Sequence, residues 1–580
     1  MPGKAGAGTD APVLPHFPRL PHPSTHSKGP KIVITPASLS FIAPHPPGNP
    51  HPKQPKIVFS DLVSAQTRGR KGQIEFPMSL DTLETYLRQQ GYRVDYAFLP
   101  DGAGSQPLAT LGLRGQEPYP VKDAALWGIN MMNYLQSPAF FALLTSAGVP
   151  LRREQRDGTS PLIVLGGHIW PNPLPLSDFY DVMAVGDGED VLLQMAALLE
   201  AFPDDRDLLL AHIAKLDGVY VPGHTDRPVK KATIDFADPA YPAGSSCLLN
   251  GVGAVLLSRG CAYDCAFCNN SLVGGPYRIK PIAQVRAHID RLKQAGAHTI
   301  VPIAASASSY LSDGQSVQEV VAYIREQGLA VKSMTDRPEK FTPQYLRLTA
   351  QKTGKVVIAV EASPRIRQLV FRKSLREETI ERAVSACMAA GINRIQLYAI
   401  LATPAMRPGL LDYLPGGFDG EGAADLRYLA ELATTMAERM SQAGLKKAAG
   451  KPFVLLDCMP FIPAIGTRLQ KAAFPSYNDY MSKISELKSL IGLRNPGLVE
   501  VSAALDERTH LLQAFLERGD ASVGEALWQA WRQSGGGSMT PGDIRQAIQT
   551  SGLDVSADYL ERRLPYESIL DASHDCSSLR

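Results

Sequence analysis

The sequence contains few cysteines, no long apolar run and no excess of charge of one sign. Seven cysteines in 580 residues are too few for a disulfide scaffold. No stretch approaches the ~18 consecutive apolar residues that span a bilayer, and no apolar core of a secretory signal opens the chain. The 59 Lys and Arg are balanced by 57 Asp and Glu, so nothing demands a polyanionic partner. We therefore expect a cytoplasmic protein with neither a nucleic-acid nor a membrane partner.

A chain of this length predicts several domains, since single hydrophobic cores stop growing well before 580 residues. Residues 1–30 are rich in Pro, Gly, His and Ser and predict a disordered leader. Strand and helix patterns alternate over residues 31–222, which predicts a doubly wound parallel sheet of the flavodoxin-like type. The strands expected in this α/β domain are KIVITPA (31–37), RVDYAFL (93–99), AALWGIN (124–130), PLIVLGG (161–167) and DVMAVG (181–186).

A second alternating series occupies residues 245–475 and predicts a partial or full (β/α) barrel with its site at the strand C-termini. Its expected strands are GAVLLSRG (253–260), HTIVPIAA (298–305), LAVKSMTD (329–336), KVVIAVEA (355–362), RIQLYAILATP (394–404) and PFVLLDCMPF (452–461). Residues 476–580 predict a small helical C-terminal domain.

Three of the seven cysteines fall within eight positions, in SRGCAYDCAFC (258–268). Cys261, Cys265 and Cys268 directly follow an expected barrel strand, and thiolates are soft ligands that suit iron–sulfur clusters. Three thiolates leave one iron of a [4Fe–4S] cluster open to another ligand. The alternative is a zinc site, which needs a fourth nitrogen or sulfur ligand such as His298 or Cys247.

This motif resembles that of the radical SAM superfamily, whose members bind S-adenosylmethionine at the open iron. GGPYR (274–278), VEASPRIRQLVFRK (360–373) and MPFIPAIGTRLQ (459–470) resemble further segments of that barrel. The resemblance implies cofactor contacts at Glu361. It also implies contacts at the end of the strand after the cluster, where Ser306 and Ser308 stand in IAASASSY (303–310) in place of an acidic pattern. It implies an electron donor of the flavodoxin or ferredoxin type.

The N-terminal half resembles the cobalamin-binding half of the cobalamin-dependent radical SAM methylases. The resemblance lies in LGGHIWPNP (165–173) and DVMAVGDGED (181–190). It implies that cobalamin binds at glycine-rich strand ends, where a backbone can approach a ligand closely. The residues concerned are Gly166, Gly167, His168, Gly186 and Gly188. The Asp-x-His-x-x-Gly motif that supplies an imidazole to cobalt does not occur, which implies cobalamin without a histidine ligand.

Together these resemblances imply methyl transfer to a poorly nucleophilic carbon of a small molecule. The layout is most similar to that of the tryptophan 2-methyltransferases of thiopeptide biosynthesis. In that case Arg68 or Arg70 would lie beneath cobalt and Tyr310 would accept the indole proton. The sequence lacks the glutamate that those enzymes place on the open iron, which favours ordinary binding of S-adenosylmethionine there. The alternative is a radical SAM enzyme of another reaction type with a vestigial cobalamin domain.

Overall fold

The computed structural model describes residues 39–41, 55–62, 78–99, 107–332, 336–349, 355–403, 421–448, 450–470, 472–492 and 497–552. Its strands are Leu39–Phe41 (β1), Ile57–Asp61 (β2), Val94–Tyr96 (β3), Leu126–Asn130 (β4), Leu162–Gly166 (β5), Val182–Ala184 (β6), Val219–Tyr220 (β7), Cys247–Leu249 (β8), Val252–Leu256 (β9), Ser258–Arg259 (β10), Arg278–Ile279 (β11), Thr299–Ile303 (β12), Leu311–Ser312 (β13), Gln315–Ser316 (β14), Ala330–Val331 (β15), Lys355–Glu361 (β16), Arg394–Leu401 (β17), Val454–Pro460 (β18) and Val499–Ala503 (β19).

The α-helices connect these strands and cover the faces of the sheets. They are Met78–Gln89 (α1), Ser137–Ala147 (α2), Glu189–Ala201 (α3), Arg206–Ile213 (α4), Asn270–Val273 (α5), Ile282–Gln294 (α6), Val317–Glu326 (α7), Pro343–Thr349 (α8), Glu377–Ala389 (α9), Glu421–Gln442 (α10), Tyr477–Gly492 (α11), Glu507–Arg518 (α12), Ala521–Gln533 (α13) and Pro541–Thr550 (α14). None of the helices in the described parts of the chain is long and apolar enough to cross a membrane.

The N-terminal unit is a six-stranded sheet in the order β3-β2-β4-β5-β6-β7, parallel except for the antiparallel β7. Successive side chains of a strand point to opposite faces, and both faces are buried here. Ile163 and Leu165 join one hydrophobic core, whereas Leu162 and Val164 join the other. The near-continuous apolar strands thus produce the predicted doubly wound sheet.

The second unit is a partial barrel of two sheets. One has the order β1-β8-β9-β12-β15, with β9, β12 and β15 parallel, and the other has the parallel order β16-β17-β18-β19. A single core spans both sheets and includes Val255, Ile300, Ile358, Leu397 and Leu456. Helices with apolar side chains at helical spacing close its outer face. The α/β fold class is therefore confirmed, in its partial-barrel form.

Three details of the sequence analysis differ from the structure or lie outside it. Residues 31–37 lie outside the described residues, as does the leader 1–30, and the first strand of the N-terminal sheet is Ile57–Asp61 (β2). Strand β19 lies within the segment expected to be helical, and it extends the barrel sheet by pairing with β18. Helices α12–α14 were expected to form a separate domain, but they share a hydrophobic core with the N-terminal unit. This core contains Phe515, Trp531 and Phe141.

Candidate functional site

The three clustered cysteines lie in one loop, the cluster loop (residues 260–277), at the end of the first parallel barrel strands. The loop is closed at its base by antiparallel pairing of β10 with β11. Gly260 adopts φ +70°, and a Cβ there would lie 2.9 Å from the carbonyl oxygen of Gly274. Within the loop the Cys268 N–H donates to the Cys265 carbonyl at 3.0 Å. The loop therefore turns back on itself and holds its thiols on one short, tightly bent segment.

The cluster loop packs against the segments after β16 and β18 through its apolar residues. The Ala266 N–H donates to the Phe371 carbonyl at 2.8 Å, and the Leu469 N–H donates to the Ala266 carbonyl at 3.3 Å. The rings of Phe267 and Phe371 meet edge to face with centroids 4.9 Å apart, and Phe461 stacks on Phe371. These aromatic side chains shield one side of the thiol loop from water.

Cationic side chains lie close to the thiols. Lys373 Nζ lies 2.7 Å from Glu361 Oε1 in a nearly buried ion pair, and the Arg337 guanidinium carbon lies 3.7 Å from the centroid of the Tyr263 ring. Burial raises the pKa of the Cys268 thiol to about 11. Burial also raises the pKa of Cys265, while the charges of Lys373 and Arg337 act to lower it. Such positive charge favours thiolates and an anionic group bound to them.

The donor set fits an iron–sulfur cluster better than a single metal ion. Among the described residues no three His, Cys, Asp or Glu side chains converge as ligands of one ion. In a [4Fe–4S] cluster each thiolate binds a different iron, so the three thiols lie farther apart than the ligands of one ion. The expected zinc alternatives are engaged elsewhere: Cys247 is buried in the N-terminal core, and the His298 ring bonds Thr299 and the Asn250 carbonyl.

An inter-unit cavity of about 480 Å³ separates the C-terminal edge of the N-terminal sheet from the cluster loop. The five N-terminal residues expected to bind cobalamin all line it: Gly166, Gly167, His168, Gly186 and Gly188. Gly260, Asn270 and Gly274 of the cluster loop line its other side. The structure therefore brings both predicted cofactor regions to one space.

At two of these positions the backbone conformation and its close neighbours require glycine. Gly167 has φ +105°, and a Cβ there would lie 2.3 Å from the Met131 carbonyl oxygen. Gly186 has φ +99°, and a Cβ there would lie 2.3 Å from the Ala232 carbonyl oxygen. By contrast, a Cβ at Gly166 would meet nothing closer than Ala184 at 4.0 Å. Burial lowers the pKa of His168, which favours a neutral imidazole at the cavity wall.

The acidic residues of the GDGED segment bind the base of the cluster loop, which the sequence analysis missed. Asp187 accepts from Arg259 at 2.8 Å and from Arg278 at 2.5 Å. Glu189 accepts from Arg259 at 2.8 Å and from the Tyr241 hydroxyl at 2.5 Å. The two arginines are paired residues of β10 and β11. The pKa of Asp187 is lowered by both arginines despite its burial. The sequence shows acidic residues alternating with glycine at this strand end, but that pattern does not indicate which residues the acids bind.

The other predicted site residues lie apart from this cavity or outside the described residues. Tyr310 is 1% exposed within the barrel core, its hydroxyl donates to the Lys280 carbonyl at 2.8 Å, and burial raises its pKa to about 12. In this structure the hydroxyl is therefore engaged within the core, and its role as a general base stays a prediction. The Ser306 and Ser308 hydroxyls bond to each other at 3.3 Å, and the cavity lining reaches Ala305 instead. Arg68 and Arg70 lie outside the described residues.

A second space, the barrel cavity, has a volume of about 560 Å³. Its wall combines strand ends of the barrel with the cluster loop, the N-terminal unit and α12. The lining residues include Met132, Tyr134, His168, Phe267, Asn269, Glu361, Tyr398, Asp457, Met459, Phe461, Gln513 and Glu517. His168 lines both cavities, so the two spaces adjoin at that side chain.

Comparison with known proteins finds relatives among radical SAM proteins. Residues 92–222 match the family described as radical SAM proteins, N-terminal. This chain is similar to radical SAM proteins. It is 24% identical over 261 residues to an uncharacterised protein of Methanocaldococcus jannaschii, covering 43% of this chain and 54% of that protein. It is 29% identical over 179 residues to the ribosomal protein uS12 methylthiotransferase of Aeromonas hydrophila, covering 28% of this chain and 40% of that enzyme. The matches thus span about half or less of these relatives.

Among solved structures, two similar chains are radical SAM enzymes by their descriptions. Coproporphyrinogen III oxidase from Escherichia coli shares 13% identity over 42% of this chain and 52% of its own, with a TM-score of 0.29. A radical SAM methyltransferase from Sphaerobacter thermophilus shares 14% identity over 43% of this chain and 65% of its own, with a TM-score of 0.26.

Proposed function

We propose that this chain is a radical SAM enzyme that holds a [4Fe–4S] cluster on Cys261, Cys265 and Cys268. The observation that carries the proposal is three thiols on one bent loop at the strand ends of a partial barrel, beside two cations. When bound, the cluster would supply an open iron for S-adenosylmethionine and an electron for its reductive cleavage. The electron would come from a flavodoxin- or ferredoxin-type donor.

The chain's own residues contribute charge and shielding to this chemistry. Lys373 and Arg337, although they also pair with Glu361 and Glu339, place positive charge beside the thiols, where it partly offsets the negative charge of thiolates and sulfides. Phe267, Phe371 and Phe461 keep water from one side of the loop, which protects reactive species from side reactions. Asp187 binds both ends of the loop through Arg259 and Arg278 and so restrains its base.

Iron content tests the ligand assignment. Protein is reconstituted anaerobically with iron and sulfide, and iron is measured together with absorbance near ~400 nm. Replacing Cys261, Cys265 and Cys268 by Ala should remove both signals, because the cluster then has no thiolates. Cys387→Ala, which changes a buried thiol of α9 outside the loop, should retain them. Four irons in the triple variant would refute the assignment.

We further propose that the reaction is methyl transfer to a carbon of a small molecule, such as an indole, with cobalamin in the inter-unit cavity. The support is the doubly wound sheet whose strand ends, including the open Gly166, face the cluster loop. A complete cobalamin is larger than the ligands that cavities of roughly 300–1000 Å³ enclose, so part of it would lie outside the 480 Å³ cavity.

The alternative is a radical SAM enzyme of another reaction type with a vestigial cobalamin domain. Three residues of the glycine-rich segment favour it, because their contacts are made within the chain. Gly186 packs against the Ala232 backbone, and Asp187 and Glu189 bind the base of the cluster loop. Cobalamin uptake by the purified protein, followed in the visible spectrum, separates the two. Reduced enzyme given labelled S-adenosylmethionine and a candidate acceptor is then analysed by mass spectrometry. Uptake with a labelled product supports the methylase, and 5′-deoxyadenosine without uptake or methylation supports the alternative.

A further inference from the structure

The inner wall of the barrel carries a carboxylate beside an aromatic ring. Along β18 the side chains alternate, so that Leu456 and Cys458 are buried in the core while Asp457 and Met459 line the barrel cavity. Tyr398 of β17 is the register partner of Asp457 and lines the same cavity. It is 38% exposed. Side chains of directly paired residues lie side by side on one face of a sheet.

The charged side chains that line this cavity are acidic. Glu361, Asp457 and Glu517 all contribute to its wall, and the described lining residues include no Lys or Arg. Glu361 is neutralised by Lys373 at 2.7 Å. His168 also lines the wall, and burial lowers its pKa, which favours the neutral form of its ring. The wall therefore presents net negative charge at neutral pH, and Asp457 carries most of it.

Asp457 and Glu517 are stabilised by neutral donors within the described structure. The Gln396 amide donates to Asp457 Oδ2 at 2.8 Å, and the Gln513 amide donates to Glu517 Oε1 at 2.7 Å. Neither carboxyl forms an ion pair with a described Lys or Arg, although the charge of Arg518 acts to lower the pKa of Glu517. Glu517 is only 7% exposed, and burial raises its pKa to about 7. Burial of an ionised carboxyl that has no ion-pair partner is costly, so a cationic ligand would relieve that cost.

The rest of the wall is apolar or aromatic, with Phe267, Ile400, Met459 and Phe461 among its members. A cavity of 560 Å³ with a mostly apolar wall and a few convergent polar groups is typical of small-molecule sites. A ring next to a carboxylate also suits an ammonium or guanidinium group, which is attracted by both.

We propose that the barrel cavity binds the substrate through a cationic group, an ammonium or guanidinium, held by Asp457 and the Tyr398 ring with Glu517 in the same wall. This proposal rests on the proposed function, because the barrel cavity adjoins the thiol loop through Phe267 and Asn269. S-Adenosylmethionine also carries an ammonium and a sulfonium, so its binding must be separated from that of the substrate.

Calorimetry with three matched probes tests the charge preference. Phenethylamine, 2-phenylethanol and 3-phenylpropionate differ chiefly in charge, and each is titrated into the full chain as purified and after cluster reconstitution. The amine should bind at least tenfold more tightly than the alcohol, and the propionate more weakly still. Asp457→Asn should abolish the preference, since asparagine keeps an oxygen for Gln396 but loses the charge. Tyr398→Leu should reduce it several-fold. Glu500→Gln, a change of an exposed barrel carboxyl, should leave it intact.

Several results would overturn the proposal. They are failure of the amine to bind, equal binding of amine and alcohol, tighter binding of the propionate, or a preference that Asp457→Asn does not alter. Competitive displacement of the amine by S-adenosylmethionine would assign the carboxyls to the cosubstrate and would also overturn it. Failure of the proposed function appears separately, as absence of a cluster or of S-adenosylmethionine cleavage in protein whose amine binding is intact.

Discussion

At the scale of single residues, the chemistry that could be predicted is the chemistry concentrated in a short stretch of sequence. Cys261, Cys265 and Cys268 fall in one loop, so spacing alone groups them. Asp187 and Arg259 lie 72 positions apart and meet only because two units pack together, so no local pattern could pair them. Tyr310 was expected at an active strand end, but the tight 3-10 turn at residues 307–309 turns it into the core.

Glu361 shows how a predicted residue can have more than one role. It ends β16 with φ +62°, a conformation that costs roughly 1–3 kcal/mol in a non-glycine residue. Its carboxylate binds Lys373, which also donates to the Ala359 carbonyl at 2.7 Å. The ion pair therefore holds the strained strand end beside the thiol loop and the barrel cavity.

Removing one partner of this pair should destabilise the fold more than removing both. Lys373→Met leaves the nearly buried Glu361 carboxylate uncompensated and should lower the free energy of unfolding by about 3 kcal/mol. Combining it with Glu361→Gln should recover part of that loss, because no isolated charge remains. Urea unfolding of the single and double variants measures the difference. A double variant less stable than Lys373→Met would contradict this account.

At the scale of elements, apolar runs bounded by turn residues predicted strands well, and strands without such bounds were missed. The runs that became β4, β5, β12, β16, β17 and β18 are apolar and end at turn residues or before a helix. Ile57–Asp61 (β2) was not among the expected strands, because prolines precede it closely and hide its apolar run. Val499–Ala503 (β19) lies between helical patterns and has only half-buried side chains apart from the exposed Glu500, so its strand character depends on pairing with β18.

The turn after β6 gives a matched pair of glycine substitutions. Gly186→Ala should destabilise the N-terminal unit by about 2–3 kcal/mol, because φ +99° and the Ala232 carbonyl oxygen at 2.3 Å both oppose a Cβ. Gly188→Ala should be close to neutral, since its φ is −87° and its nearest neighbour would be a flexible Leu83 methyl at 3.4 Å. Thermal denaturation of both variants measures the contrast. Equal losses of stability would show that backbone conformation at Gly186 does not decide the effect.

At the scale of the whole molecule, the sequence predicted two α/β units but not the contacts between them. The cluster loop is bound from the N-terminal unit by Asp187, Glu189 and Lys231, whose ammonium donates to the Leu272 carbonyl at 2.6 Å. Helices α12–α14, expected to form a domain of their own, pack on the N-terminal unit, and the Asn172 amide donates to the Gly519 carbonyl at 3.0 Å. The thiol loop therefore lies within an interface that spans both units.

Weakening this interface should separate the unfolding of the two units. Asp187→Asn leaves the half-buried Arg259 and Arg278 without their shared carboxylate, which should cost about 2–3 kcal/mol of coupling. Scanning calorimetry should then resolve two transitions, or a broader one, where the parent protein gives one. Asp217→Asn is the control, since Asp217 forms only exposed ion pairs with Arg227 and Lys230 and should leave the profile unchanged. An unaltered profile in Asp187→Asn would refute the coupling role.

The dependence of stability on pH should reveal the buried carboxyl of Glu517. Its pKa is raised by burial from the model-compound value of 4.5 to about 7 in the folded protein. Between those values the folded chain holds a proton that the unfolded chain has lost, so stability falls as pH rises from about 5 to 7.

His510 acts in the opposite sense. Burial lowers its pKa to about 4, so the folded state with neutral His510 gains stability as pH rises toward the pKa of the unfolded chain. The raw slope therefore mixes Glu517 and His510 with other buried groups, among them Asp61 and Asp81, whose pKa values burial raises to about 6 and about 7. The difference in free energy of unfolding between Glu517→Gln and the parent protein isolates Glu517. As pH rises across this window, that difference should shift in favour of the variant by on the order of 1 kcal/mol per pH unit. Urea unfolding at pH 5, 6 and 7 measures the difference. A difference that stays constant with pH would mean that the pKa of Glu517 is the same in the folded and unfolded states, which would contradict the effect of its burial in the wall of the barrel cavity.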